Sequence, residues 1–82
     1  MAEEPSYTSK DIRKMADDLK EAADRILGEE YPSPLSLQKA AQEAETLAVH
    51  AAYKDMPFIA THLLALASCM NRRLTIVLSK GR

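Results

Sequence analysis

The sequence predicts an all-α fold, a small three-helix antiparallel bundle that dimerises through its third helix. Three segments carry apolar residues at spacings of three and four, the pattern of an α-helix with one buried side. Proline-containing connections separate these segments. The composition of 13 Ala, 2 Gly and no Trp favours helix over a β-sandwich or barrel. We therefore expect a single helical domain over residues 9–80, preceded by a flexible leader over residues 1–8.

The first predicted helix spans residues 9–27. Thr8 is its predicted N-cap, and Asp11, three residues later, completes a variant of the capping box. Gly28 follows the last apolar residue and is predicted to end the helix in a left-handed conformation. The residues expected on the inner face of this helix are Ile12, Met15, Ala16, Leu19, Ala22, Ala23, Ile26 and Leu27.

The second predicted helix spans residues 34–54, with Ser33 as its cap and Pro34 in its first turn. Its inner face consists mostly of alanine, which lets a neighbouring helix approach closely but buries little area per residue. Tyr31, in the connection before it, is expected to fold back onto the bundle. The inner-face residues are Leu37, Ala40, Ala41, Ala44, Leu47, Ala48, Ala51 and Ala52.

The third predicted helix, residues 56–79, is apolar on more than one side. Its inner stripe contains Met56, Ile59, Leu63, Leu66, Met70, Leu74 and Val77. A second stripe contains Phe58, Ala65, Cys69 and Ile76, and the opposite flank contains Ala60, Leu64 and Leu78. The first two helices are each apolar on one side only and cannot cover all of this surface. We therefore expect a second copy or a protein partner to cover the remaining apolar residues.

The connection between the second and third helices admits two interpretations. In the preferred one, Asp55 caps the third helix and Pro57 lies in its first turn, so a tight turn makes the two helices antiparallel. The alternative is one long helix over residues 34–79 with a kink at Pro57. Such a helix would favour dimerisation, because its two halves could not fold back on each other.

Charge and composition limit the classes of protein that the chain can belong to. The net charge is −1, but every charged side chain from residue 57 to the end is basic. Cations near a helix C-terminus complement its dipole, although they could also attract an acidic partner. The single cysteine excludes an internal disulfide, and the N-terminal residues lack the apolar core of a signal peptide. The longest apolar run is too short for a membrane span, so we expect a cytoplasmic protein.

The sequence contains no motif of a catalytic, cofactor-binding or metal-binding site. Its 2 glycines cannot form a glycine-rich phosphate loop, and a lone cysteine with 2 histidines does not match a zinc pattern. His62 and Cys69 are two helical turns apart, about 10 Å, which is too far for a nucleophile and its base. We therefore predict that the protein is not an enzyme and binds no cofactor.

The predicted function is a non-enzymatic protein–protein interaction module, such as a small cytoplasmic regulator, adaptor or chaperone-like protein. It would act through an apolar face of the third helix on a protein partner or on a second copy of itself, as a homodimer. The apolar side chains would supply the affinity and the two arginines the orientation. The predicted contact residues are Phe58, Leu64, Cys69, Arg72, Arg73, Ile76 and Leu78.

Two alternatives stay open. One is a small DNA-binding transcriptional regulator that would use the basic C-terminal end. The net charge of this chain is slightly negative, however, whereas DNA-binding domains are usually basic. Its candidate contacts are Asn71, Arg72, Arg73, Lys80 and Arg82. The other alternative is a histidine phosphotransfer-type signalling domain, which resembles this chain in being a helical bundle with a histidine, here His50, on a solvated face. The flanking sequence VHAAYKD lacks the glycine and lysine that the resemblance would require.

Overall fold

The structure, a computed structural model, describes residues 7–80 and contains three α-helices that pack together. Helix α1 spans Ser9–Leu27, α2 spans Pro34–Tyr53 and α3 spans Pro57–Lys80. No strand occurs within these described residues. The prediction of an all-α fold with three helices is therefore confirmed, and each helix begins and ends within one residue of its predicted boundary.

The first two helices begin with the predicted caps. The amide of Asp11 donates to Oγ1 of Thr8 at 3.1 Å, and the amide of Thr8 donates to Oδ2 of Asp11 at 3.2 Å. This reciprocal pair is a capping box in which aspartate replaces the usual glutamate. At the start of α2, Oγ of Ser33 accepts from the amide of Ser36 at 3.4 Å, and Pro34 occupies the first turn.

The connection between α1 and α2 differs from the prediction at two residues. Gly28 has φ −82° and ψ −9°, so the predicted left-handed cap was wrong. Its amide donates to the carbonyls of Asp24 and Ile26, which continues the helical turn instead of reversing it. Tyr31 was predicted to fold onto the bundle but is 85% exposed. Pro32, the next residue, is the buried member of this connection.

The turn between α2 and α3 is closed by a Schellman motif with aspartate at its left-handed position. Asp55 has φ 59°, and its amide donates to the carbonyl of Ala52 at 3.0 Å. The amide of Met56 then reaches back to the carbonyl of Ala51 at 2.9 Å. These are the two hydrogen bonds that define the motif. The tight turn was therefore the correct interpretation, and the kinked helix was not.

The role predicted for Asp55 was nevertheless wrong, because this residue ends α2 and does not cap α3. The first hydrogen bond of α3 runs from the amide of Ala60 to the carbonyl of Met56 at 3.0 Å. Pro57 lies in the first turn as expected, where its missing amide has no helical partner to lose. The turn sends α3 back along α2, and these two helices form the most extensive contact in the bundle.

The core is a stripe of alanines on α2 facing longer side chains on α1 and α3. Seven residues of α2 are buried, and five of them are alanine. The largest fully buried side chains are Ile12, Leu37, Leu63 and Met70. Three residues depart from the predicted inner faces: Met15 and Ala52 are exposed, whereas Ala60 is buried. No polar side chain is buried in the part of the chain described.

The bundle is flat and elongated. Its principal extents are 46 × 25 × 16 Å, and its radius of gyration is 13.8 Å, against about 12 Å for a compact chain of this length. The bundle is therefore longer than a compact chain of the same length.

Candidate functional site

The contact residues predicted from the sequence all lie on α3, and their apolar members are exposed to different degrees. Phe58 is 89% exposed, Leu64 53%, Ile76 45% and Leu78 54%. Cys69 is also exposed. The buried side of α3 is formed by Ala60, Leu63, Ala67 and Met70. All five apolar side chains proposed from the sequence as contacts therefore reach solvent within the chain.

Four of the exposed residues share one side of α3, and we call this side the Phe58 face: Phe58, Ala65, Cys69 and Ile76. At about 100° per residue, their directions fall within about 40° of one another. Phe58 and Ile76 are separated by five full turns, so they point in the same direction, about 27 Å apart. The Phe58 face is thus a narrow strip with a large side chain at each end and small side chains between them.

Leu64 and Leu78 do not belong to the Phe58 face. They point about 120° and 160° away from the direction of Phe58, on the opposite flank of α3. The predicted contact residues are therefore divided between two surfaces, and a single helix-sized partner could not touch both. Leu64 and Leu78 share their own flank with Asn71, an exposed polar residue, so that flank is less continuously apolar.

The two predicted orienting arginines are also divided. Arg72 is exposed and borders the Phe58 face. Arg73 points about 100° further round the helix, on the same side as His62, and is half-buried. For the DNA-binding alternative, this means that the described residues Asn71, Arg72 and Arg73 lie on three different sides of α3 and do not form one basic surface.

A groove of about 460 Å³ between α1 and α3 adjoins the Phe58 face. Phe58, Ile59 and His62 line it from α3. Helix α1 contributes Ala16 and three charged residues, Arg13, Asp17 and Lys20. This groove gives Phe58 a charged border on one side, which the sequence pattern of α3 alone could not show.

A larger groove of about 790 Å³ lies between α1 and α2, and no pattern in the sequence indicates it. The rings of Tyr7 and His50 meet edge to face at its end, with centroids 4.8 Å apart. Tyr7 had been assigned to the leader, but it packs against the core. His50 had been placed on a solvated face, but it is half-buried beneath this contact. The histidine of the phosphotransfer alternative is therefore partly covered.

The described residues offer no assembled metal or nucleophile site. No group of three or more His, Cys, Asp or Glu lies close enough together within residues 7–80 to hold a metal ion. His62 and Cys69 lie on the same side of α3, but two turns separate them, about 10 Å. The exposed thiol of Cys69 therefore has no histidine positioned beside it on its own helix.

None of the three helices, over the residues described, combines the length and the apolarity that a membrane crossing requires. Comparison of the chain with protein-family models, with curated proteins and with solved structures finds no significant match. Among the surfaces that hold predicted contact residues, we base a functional hypothesis on the Phe58 face, because its residues are exposed and lie in line along one helix.

Proposed function

We propose that this protein is a non-enzymatic protein–protein interaction module that self-associates through the Phe58 face of α3. This is the role of a small cytoplasmic regulator, adaptor or chaperone-like protein. The observation that carries the proposal is the 89% exposure of Phe58, which lies in line with Ile76 along one side of a helix.

The physical argument is the cost of leaving this face in water. Burying a large apolar side chain contributes roughly 1.5–3 kcal/mol. A symmetric dimer uses the same surface of both copies, so each such residue contributes once from each copy. The chain is only 82 residues long, and a small domain has a small core and gains stability from association. A second copy of the same face offers the same apolar surface without any charge at its centre.

The opposite flank of α3 provides a matched control for the test. Ile76 and Leu64 are exposed to similar degrees, 45% and 53%, but lie on different sides of the helix. Ile76→Glu and Leu64→Glu therefore introduce the same charge into the same helix at similar exposure. Only Ile76→Glu places that charge on the Phe58 face.

The experiment is light scattering of the purified chain and both variants over a wide concentration range, with helix content measured by circular dichroism. We expect the mass of the parent to rise above 9.1 kDa with concentration, Leu64→Glu to behave like the parent, and Ile76→Glu to stay monomeric with unchanged helix content. A parent that stays at the monomer mass throughout would contradict self-association. Equal effects of the two variants would show that the Phe58 face is not the contact.

A further inference from the structure

The side chains of the Phe58 face are arranged symmetrically about Ala67. Phe58 and Ile76 lie nine residues before and after it, and Ala65 and Cys69 lie two residues before and after it. In a copy of the helix that runs in the opposite direction, a large side chain again lies at each end of the strip and small side chains again lie in the middle. A reversed copy of this strip therefore presents the same order of large and small side chains, and the orientation of the pair is decided by charge.

We propose, building on the self-association proposed above, that two copies of the chain pack α3 against α3 in antiparallel orientation, with the two-fold axis at the level of Ala67. In this register, Phe58 of each copy meets Ile76 of the other, and Ala65 meets Cys69. The small central residues let the two helices approach toward the short end of the usual range of about 8–10 Å. The interface is isologous, so it closes on itself as a dimer.

Charge favours the antiparallel orientation over a parallel one. Helix α3 contains arginines but no acidic residue, so a parallel pair would place Arg72 and Arg73 of both copies at one level. The antiparallel register separates the two copies of Arg72 by about 15 Å along the helix axis, which exceeds the screening length of about 8 Å at physiological salt.

The area of the Phe58 face indicates how tight this dimer should be. A strip about 27 Å long and one helix wide, about 11 Å, covers about 300 Å² on each copy. Twice this area, about 600 Å², is below the roughly 1,200 Å² at which standard specific interfaces begin and lies in the range of weak, transient contacts. We therefore expect a reversible dimer that dissociates on dilution. Because Phe58 and Ile76 are the only large side chains on the strip, removing either should abolish most of the affinity.

The register can be tested by pairing complementary charges. Phe58→Glu and Ile76→Lys should each weaken the homodimer at least tenfold. In an equimolar mixture, the introduced glutamate faces the introduced lysine at one end of the heterodimer, while the native phenylalanine faces the native isoleucine at the other. We expect sedimentation velocity to show dimer in this mixture at concentrations where each variant alone is monomeric. Circular dichroism should show unchanged helix content in both.

The matched control mixture is Phe58→Glu with Phe58→Lys. A parallel pair would place these two charges opposite each other, whereas the antiparallel register places each of them opposite Ile76. Dimer formation in the control mixture, or none in the Phe58→Glu and Ile76→Lys mixture, would overturn the antiparallel register. A parent chain that is monomeric at every concentration would instead remove the proposed self-association and the register with it.

Disulfide cross-linking supplies a second, independent readout. Ala65→Cys places a thiol opposite Cys69 of the other copy, so mild oxidation should give a covalent dimer in high yield. The parent should cross-link poorly, because its two copies of Cys69 are offset by about 6 Å along the axis, in addition to the distance between the helices, and a disulfide needs Cα atoms within about 7 Å. Ala65→Cys combined with Cys69→Ser is the control. Efficient cross-linking of the control or of the parent would indicate parallel helices and overturn the proposal.

Discussion

Replacing Leu63 by alanine tests whether the bundle has the core described above. Leu63 is fully buried on the inner side of α3, and much of the surface opposite it is the alanine stripe of α2. Alanines have no long side chains that could move into the vacated space, so the cavity should persist. Leu→Ala changes at such sites cost about 3–5 kcal/mol. The whole chain is expected to be stable by only about 4–12 kcal/mol, so Leu63→Ala removes about a quarter of its stability or more.

The assay is thermal and urea unfolding followed by circular dichroism at one fixed protein concentration, because association raises the apparent stability. For a domain of this size, each kcal/mol lowers Tm by about 4–8 °C, so Leu63→Ala should lower Tm by at least about 12 °C. The control is Leu64→Ala at the next residue, where 53% exposure should limit the loss to less than about 1 kcal/mol. If Leu63→Ala and Leu64→Ala lowered the free energy of unfolding equally, the orientation of α3 about its own axis would be wrong.

Changes at three further positions test the caps and the packing of α2 by the same unfolding assays. Thr8→Ala removes the capping box of α1 and should cost about 1 kcal/mol; an unchanged urea midpoint would contradict the cap. Asp55→Gly should stabilise the chain by up to about 1 kcal/mol, because glycine adopts φ 59° without strain, whereas Asp55→Val should destabilise it. Ala44→Leu enlarges a fully buried position on α2 and should cost about 1–3 kcal/mol; a neutral result would mean that α2 is not closely packed against its neighbours.

The helices themselves could be predicted from the sequence because each boundary has a local chemical cause. Ser33 followed by Pro34 starts α2 through a side-chain acceptor and a fixed φ, and neither depends on the rest of the fold. Gly28 and Asp55 were misjudged for a related reason. Glycine is able to adopt positive φ but is not required to, and aspartate tolerates the left-handed region better than most residues. Which of the two residues takes that conformation depends on where the next helix must go.

The Phe58 face could be recognised in part, because its members follow helical spacing along α3. The sequence also separated Leu64 and Leu78 onto another flank, but it gave no reason to choose between the two flanks. That choice depends on tertiary packing. Helix α2 covers one side of α3, and α1 borders another through the groove that holds Asp17 and His62.

The contact between Tyr7 and His50 could not be predicted from the sequence for a different reason. No periodic pattern connects the two residues, since Tyr7 precedes the cap of α1 and His50 lies near the end of α2. They meet only because α1 and α2 run in opposite directions. A bulky aromatic residue directly before an N-cap was the available signal that Tyr7 is not part of a free leader, because hydrophobic residues at that position often pack against the helix that follows.

The alanine stripe on α2 should tolerate fewer substitutions than the core positions of α3. Alanine is the smallest residue with a side chain, so every replacement at these five buried positions except glycine adds volume, and glycine weakens the helix by about 1 kcal/mol. Substitutions on this surface therefore either push α2 away from its neighbours or make the helix itself less stable. Variation should be accepted more readily on α3, where a leucine or methionine can be exchanged for a residue of similar bulk.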